Sequence, residues 1–288
     1  MKTTLLLPLL LVETISLSLV HFSSTEDLSS IVKASLEGAE DVLVVAYSVD
    51  PTYLGLTEKA RIATETFTSN AFVHVSPRLL HAKFMVLDGE VVIFGSANFN
   101  QKALEEDLNN LFVVRSKEIA SFFEEIYEWV VLGKKPRTRL KTFLGEFFLV
   151  PFEDGEKIFV ETLLRARRYV LICCYAFTDE DVFATLKYLS SKGVKVFLLL
   201  DEWLESSRIY GLPMRDFEVF VVREPLLHHK FMVVDGKELI CGSANFTESG
   251  FHRNVELILR TRRKDIVKAF VEEFERLWRG YLVQGVRF

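Results

Sequence analysis

Short apolar runs alternate along this chain with amphipathic stretches, and the alternation predicts an α/β fold. Asp41–Tyr47 (DVLVVAY) and Tyr169–Tyr175 (YVLICCY) are near-continuous apolar runs, too short for helices and suited to strands covered on both faces. Ser18–Phe22 (SLVHF) and Phe148–Phe152 (FLVPF) read as short strands, each followed by an acidic turn and an amphipathic helix. Asp179–Ser191 has helical periodicity and stops at Gly193, and Lys195–Asp201 follows as a strand. That order makes a β-α-β unit and implies parallel pairing. Between Pro51 and Pro77 the pattern supports one helix, around Thr57–Thr66. Strands at Leu111–Val114 and Val255–Leu259 lead into closing helices marked by Phe122-Phe-Glu-Glu with Trp129 and Phe270-Val-Glu-Glu with Trp278. Aromatics at helical spacing are core positions.

Most of these elements come in pairs, so the chain reads as two similar halves. The pairing is sharpest at Leu79–Asn100 (LLHAKFMVLDGEVVIFGSANFN) and Leu226–Thr247 (LLHHKFMVVDGKELICGSANFT), identical at 15 of 22 positions. Each copy is an apolar run, an Asp-Gly dipeptide and a second apolar run, the signature of a β-hairpin. A shared strand period explains shared hydrophobicity. It does not explain shared His81/His228, Lys83/Lys230, Ser96/Ser243 and Asn98/Asn245 at fixed spacing. Strand alternation puts His81 with Lys83, and His228 with Lys230, on one face. A cation, an imidazole, a hydroxyl and an amide then converge on a small volume suited to an anionic tetrahedral group. Asp88 and Asp235 open the hairpin turns, where a turn-capping role fits better than catalysis. His229 has the opposite strand parity and is structural; His21, His74 and His252 have no repeat partner.

This duplicated motif resembles that of the phospholipase D superfamily. The resemblance implies two halves, each a mixed sheet flanked by helices, related by a pseudo-twofold axis with one site at their interface. It implies a metal-independent phosphodiesterase without a cofactor, in which one histidine attacks phosphorus and the other protonates the leaving oxygen. Lys83 and Lys230 would neutralise the phosphate, and Asn98, Asn245, Ser96 and Ser243 would supply neutral donors. Relatives carry an acidic residue downstream of the motif that orients a histidine, and Glu256 fits that place, whereas the first-half equivalent is Asn109. The two histidines are therefore oriented unequally. By resemblance the motif nearer the amino terminus supplies the nucleophile, which nominates His81, with His228 as the acid. Both motif copies are intact, which argues against a non-catalytic binding module.

Composition narrows this only in part. The 288 residues are 49% hydrophobic and 12% aromatic, enough for a sizeable core, with a net charge of −5 and a pI near 5.8. No global basic field exists to attract a polyanion. That balance favours a phospholipid substrate and admits peripheral membrane contact. Arg165–Arg168 and Arg260–Lys264 are local basic runs that keep DNA or RNA cleavage as the alternative, and phosphatidyl transfer of the cardiolipin-synthase kind as a third. Cys173, Cys174 and Cys241 lie in apolar runs without ligand or disulfide spacing and read as core. Residues 1–12 (MKTTLLLPLLLV) form an apolar appendage, either part of a signal peptide or an edge strand, so the location is cytoplasmic or exported accordingly. The remaining segments are a first half at 13–132, a basic linker at 133–141 (GKKPRTRLK) and a second half at 142–288. With both motifs on one chain, a monomer carries a complete site.

Overall fold

The computed structural model describes residues 19–68, 71–74, 76, 78–206 and 214–284; the appendage at residues 1–12 lies outside them. In the first half β1 (Val20–Phe22), β2 (Val42–Ala46), β3 (Arg61–Thr64), β4 (Ala71–Val73), β5 (Phe84–Leu87), β6 (Val91–Gly95) and β7 (Asn110–Arg115) form one sheet, in the order β1-β7-β6-β5-β2-β3-β4. In the second half β8 (Arg139–Lys141), β9 (Glu146–Val150), β10 (Tyr169–Cys174), β11 (Lys195–Asp201), β12 (Glu218–Val222), β13 (Lys230–Val234), β14 (Glu238–Gly242) and β15 (Glu256–Thr261) run β8-β9-β15-β14-β13-β10-β11-β12. Without β8 the two orders are the same. Both sheets are mixed: β2-β3-β4 and β10-β11-β12 are parallel, and the other pairings are antiparallel.

The helices are α1 (Leu28–Leu36), α2 (Pro51–Leu54), α3 (Gln101–Glu105), α4 (Lys117–Leu132), α5 (Gly155–Leu163), α6 (Glu180–Ser191) and α7 (Lys264–Gln284). Asp27, Asp154 and Asp179 cap α1, α5 and α6 by accepting a first-turn N–H, so each acidic turn sets a helix start. The hairpin turns have positive φ at Asp88, Gly89, Asp235 and Gly236, the geometry of a type I′ turn. Their aspartates also reach outward. Asp88 accepts from the N–H groups of Glu40 and Asp41, and Asp235 from those of Arg167, Arg168 and Tyr169. Each carboxylate thus ties its hairpin to the entry of the neighbouring strand.

Two expectations are corrected. The helix expected around Thr57–Thr66 is instead strand β3, parallel to β2 with Leu43 opposite Arg61, and Ile62, Ala63 and Thr64 are buried. The helix-forming composition of Glu58–Arg61 yields to burial between two strands, and the equivalent of α6 shrinks to the single turn of α2. The linker is also shorter than read. Arg139–Lys141 pairs with β9 as the edge of the second sheet, which moves the boundary of that half from 142 to 139.

The two sheets face each other across one shared core. Phe94 of β6 meets Phe147 of β9 with ring centroids 5.3 Å apart, and Phe270 of α7 packs on Phe22 of β1 at 5.0 Å. Each fully buried phenylalanine stabilises the fold by roughly 1.5–3 kcal/mol, so the halves are held as one body. Separate clusters fill the outer face of each sheet, around Phe99 in the first half and Phe246 in the second. A site built between such halves needs no second chain. Specific activity is expected to stay constant on dilution; a collapse that reverses on concentration would contradict this intramolecular arrangement.

Candidate active site

The chain crosses between halves at two matching places, and these crossings build the site. Leu80 bridges Val255 and Leu108 bridges Leu227. The N–H of His81 donates to Val255 O at 3.0 Å, and the N–H of His228 donates to Leu108 O at 2.9 Å. Each motif histidine is therefore pinned by the strand entry of the opposite half. The residue following each entry by one, Glu256 or Asn109, arrives beside the imidazole.

Glu256 and Asn109 are fully buried. His81 Nδ1 lies 2.8 Å from Glu256 Oε1 and 3.0 Å from Oε2. The carboxylate also accepts from Ser243 Oγ at 2.5 Å and Asn254 Nδ2 at 3.0 Å. On the other side His228 Nδ1 lies 3.0 Å from Asn109 Oδ1, which accepts from Ser96 Oγ at 2.8 Å. Asn109 Nδ2 donates to Ala103 O, which fixes the amide so that its oxygen faces the imidazole. Both histidines accordingly carry the proton on Nδ1 and present Nε2 to the site.

The motif serines do something other than expected. Ser96 Oγ accepts the N–H of Asn110 and Ser243 Oγ that of Leu257, and each hydroxyl proton goes to the group that orients a histidine. They are committed to Asn109 and Glu256 and are not free donors for a phosphate. The neighbouring motif glycines have an equally local reason. A Cβ on Gly95 would sit 2.1 Å from Asn110 O, and one on Gly242 2.1 Å from Leu257 O. Gly95→Ala is expected to destabilise the fold by about 1–3 kcal/mol, read from the midpoint of urea unfolding; an unchanged midpoint would mean the strands can part there.

Lys83 and Lys230 are each 1% exposed, and each Nζ donates to the carbonyl oxygen of its own motif histidine at 2.6 Å. Burial drives both ammonium groups down, Lys83 to about 7 and Lys230 to about 8. Burial also lowers both imidazoles. Lys83 and Lys230 add to the shift at both, but Glu256 opposes it at His81, and His228, without such a carboxylate, is held well below the ordinary range. The free site thus has neutral imidazoles between two strained cations, a state that an anion would relieve. Phe99 and Phe246 insert into the outer cores and fix the asparagines before them. Asn98 Oδ1 faces the N–H of Ser48 at 3.4 Å, and Asn245 Oδ1 is buried without a partner among the described residues.

Sequence reasoning missed the aromatic walls. Tyr47 stands 6.2 Å from the His81 ring and Tyr175 5.4 Å from the His228 ring, while Lys230 lies over Tyr175 at 5.3 Å. Both tyrosines end equivalent strands, so the repeat contained the signal. His229 lies where its strand parity placed it, and the histidines without a repeat partner are held by carboxylates. His229 is buried against Asn110 and Glu273, and His21 and His74 pair with Glu26 and Glu65. The cysteines are buried free thiols.

Comparison with known proteins follows this geometry. A family model described as "Cardiolipin synthase, PLD-like domain" matches residues 12–131 and again residues 159–278. The chain is 37% identical over 123 residues to a mitochondrial cardiolipin hydrolase of Xenopus tropicalis, covering 41% of this chain and 59% of that protein. It is 33% identical over 126 residues to the Homo sapiens protein of the same name, covering 42% and 50%. The chain thus spans between half and three fifths of the length of these relatives. Among solved structures, phosphatidylserine synthase from Haemophilus influenzae superposes with a TM-score of 0.66 at 12% identity, over 91% of this chain and 86% of that one. At that identity the likeness concerns the fold alone.

Proposed function

This chain belongs to the phospholipase D superfamily, and from that premise we propose that it is a metal-independent phosphodiesterase cleaving phospholipids through a phosphohistidine. The observation that carries the reading is the pair of motif imidazoles with unequal partners, Glu256 behind His81 and Asn109 behind His228, each beside a buried lysine. In this account His81 Nε2 attacks phosphorus as the bond to the leaving oxygen breaks, and His228 Nε2 gives that oxygen a proton. Water then attacks the phosphohistidine, loses its proton to His228, and the P–N bond breaks. The carboxylate of Glu256 stabilises the positive charge that His81 acquires on attack, which suits the nucleophile. His228 must first gain its proton. Burial and then the lysine charges hold it neutral, and a bound phosphodiester anion offsets the lysine charges and favours the protonated acid.

The basic runs give nucleic acid little support. Arg165 and Arg262 pair with Glu238, Arg260 with Glu146, and Arg263 with Asp265. Arg167 and Arg168 wrap the Asp235 turn, at the opposite end of β13 from Lys230. The linker cations Lys134 and Arg137, and Arg139 of β8, are likewise paired with Glu128, Glu125 and Glu153. Close to His81 the exposed side chains are Leu79, 39% exposed, and Tyr47, 38% exposed, together with one cation, Arg78. Charge at the phosphate comes from the lysines, so activity is expected to persist in excess chelator. The test is an assay of the purified protein, chelator present, against phosphatidylcholine, phosphatidylethanolamine, cardiolipin, single-stranded DNA and RNA. Release of headgroup alcohol is the expected result; cleavage of nucleic acid with no lipid hydrolysis, or activity restored only by a divalent ion, would overturn the reading.

A further inference from the structure

One buried carboxyl near the site is unused by this mechanism. Asp107-Leu108-Asn109 and Asn254-Val255-Glu256 occupy the same place in the two halves, with amide and carboxylate exchanged. On the His81 side Asn254 donates to Glu256. On the His228 side the corresponding group is Asp107, which has no proton to donate once ionised. Asp107 is 7% exposed, yet its side chain has no hydrogen bond or ion pair among the described residues. Asp201, the other carboxyl on this side, is already engaged, accepting from the N–H groups of Trp203 at 3.0 Å and Leu227 at 2.9 Å.

The position of Asp107 is fixed by its neighbour. Leu108 donates its N–H to Leu226 O at 2.8 Å and accepts the N–H of His228 at 2.9 Å. Burial raises the Asp107 carboxyl to about 6, while Lys102 and, further off, Lys230 draw it back. Burial, then Asp201 and Asp107, push the Tyr175 phenol up. Tyr175, Lys230 and His228 cluster together, and Asp107 precedes the residue whose carbonyl accepts the His228 N–H, with the same strand parity as Asn109. The Asp107 carboxyl oxygens keep a solvent contact, so a ligand that brings a donor can reach an acceptor that no protein group occupies.

We propose that Asp107 is a specificity-determining residue for the leaving alcohol: with Tyr175 it forms a subsite beside His228 that accepts a hydrogen bond from a hydroxyl or ammonium group on that alcohol. The inference rests on the proposed phospholipid reading with His228 as the acid. The leaving oxygen must reach His228 Nε2, and Asp107 stands on the strand entry that holds His228 from that side. Ethanolamine and glycerol headgroups carry such a donor; choline has no N–H, and nitrophenol carries none.

The experiment compares kcat/KM for short-chain phosphatidylethanolamine and phosphatidylglycerol with that for bis(4-nitrophenyl) phosphate, in the wild type, Asp107→Asn, Asp107→Ala and Asp107→Glu. Asp107→Ala should lower both lipid-to-nitrophenyl ratios by about tenfold or more. Asp107→Asn should lower the ethanolamine ratio more than the glycerol ratio, because an acceptor remains while the charge is lost. Asp107→Glu should restore part of each. Ratios that stay constant while all substrates fall together would reveal a structural role and overturn the subsite. Unmoved ratios with wild-type lipid hydrolysis intact would overturn the subsite alone. A wild type that cleaves the nitrophenyl diester but no phospholipid would overturn the phospholipid reading and the subsite with it.

Discussion

Alanine at either His81 or His228 is expected to lower phosphodiester turnover roughly 10³–10⁴-fold, because attack and protonation belong to the same first step. The two variants should separate when the leaving group needs no proton. With a nitrophenyl diester, His228→Ala should recover much of the first step and accumulate a covalent intermediate, since it also lacks the base for the second. His81→Ala should recover nothing. The unequal partners give the reason: Glu256 compensates the charge His81 acquires, whereas the Asn109 oxygen only orients His228. Glu256→Gln should accordingly slow the attack step more than it weakens binding, seen as a fall in kcat with KM little changed. Equal rescue of both histidine variants by nitrophenol would contradict the division of roles.

Removing a buried cation is expected to cost nearly as much. Lys83→Met and Lys230→Met should each lower kcat by about 10²–10³-fold, the range for losing one preorganised group at a developing negative charge. The pH dependence carries a sign that distinguishes this from a packing role. Lys83 titrates at about 7 and Lys230 at about 8 in the free protein, and only the protonated forms attract the anion. The value of kcat/KM should therefore decline as pH rises through 7 and 8. Stability should move the other way. In the unfolded chain these lysines keep the ordinary value of 10.5, so between about 7 and 10.5 the unfolded state binds more protons. Their contribution to folding is full above that window and is lost as pH falls through 7. Lys83→Met, which has no charge to bury, should raise the unfolding midpoint relative to wild type more at pH 6 than at pH 10. A midpoint difference independent of pH would show that Lys83 is not held charged at a cost.

Much of this arrangement can be read before any coordinates. Identity of His, Lys, Ser and Asn across two hairpins marks a duplicated site, because strand periodicity imposes hydrophobicity and not those side chains. The Asp-Gly dipeptides fix the turns, and Gly193 with Asp179 bounds α6. Even the difference between Glu256 and Asn109 is visible by counting from the motif. What could not be read depends on packing across the chain. Arg61–Thr64 has local helix-forming neighbours, and only its place between β2 and β4 makes it a strand. Arg139–Lys141 looks like linker because an edge strand three residues long leaves little trace in sequence. Ser96 and Ser243 look like phosphate donors until Asn109 and Glu256 arrive from the adjacent strands to take their protons. The arginine runs look like a polyanion surface until Glu146, Glu238 and Asp265 are seen beside them.

The central claim is that one histidine becomes covalently phosphorylated and that it is His81. Mass spectrometry of enzyme quenched within the first turnover, on a substrate with a good leaving group, tests it directly. An acid-labile phosphoryl adduct on the peptide containing His81, increased in His228→Ala and absent in His81→Ala, is the result this account predicts. An adduct on His228 would reverse the roles, and no adduct on either histidine under conditions that trap intermediates would contradict the mechanism.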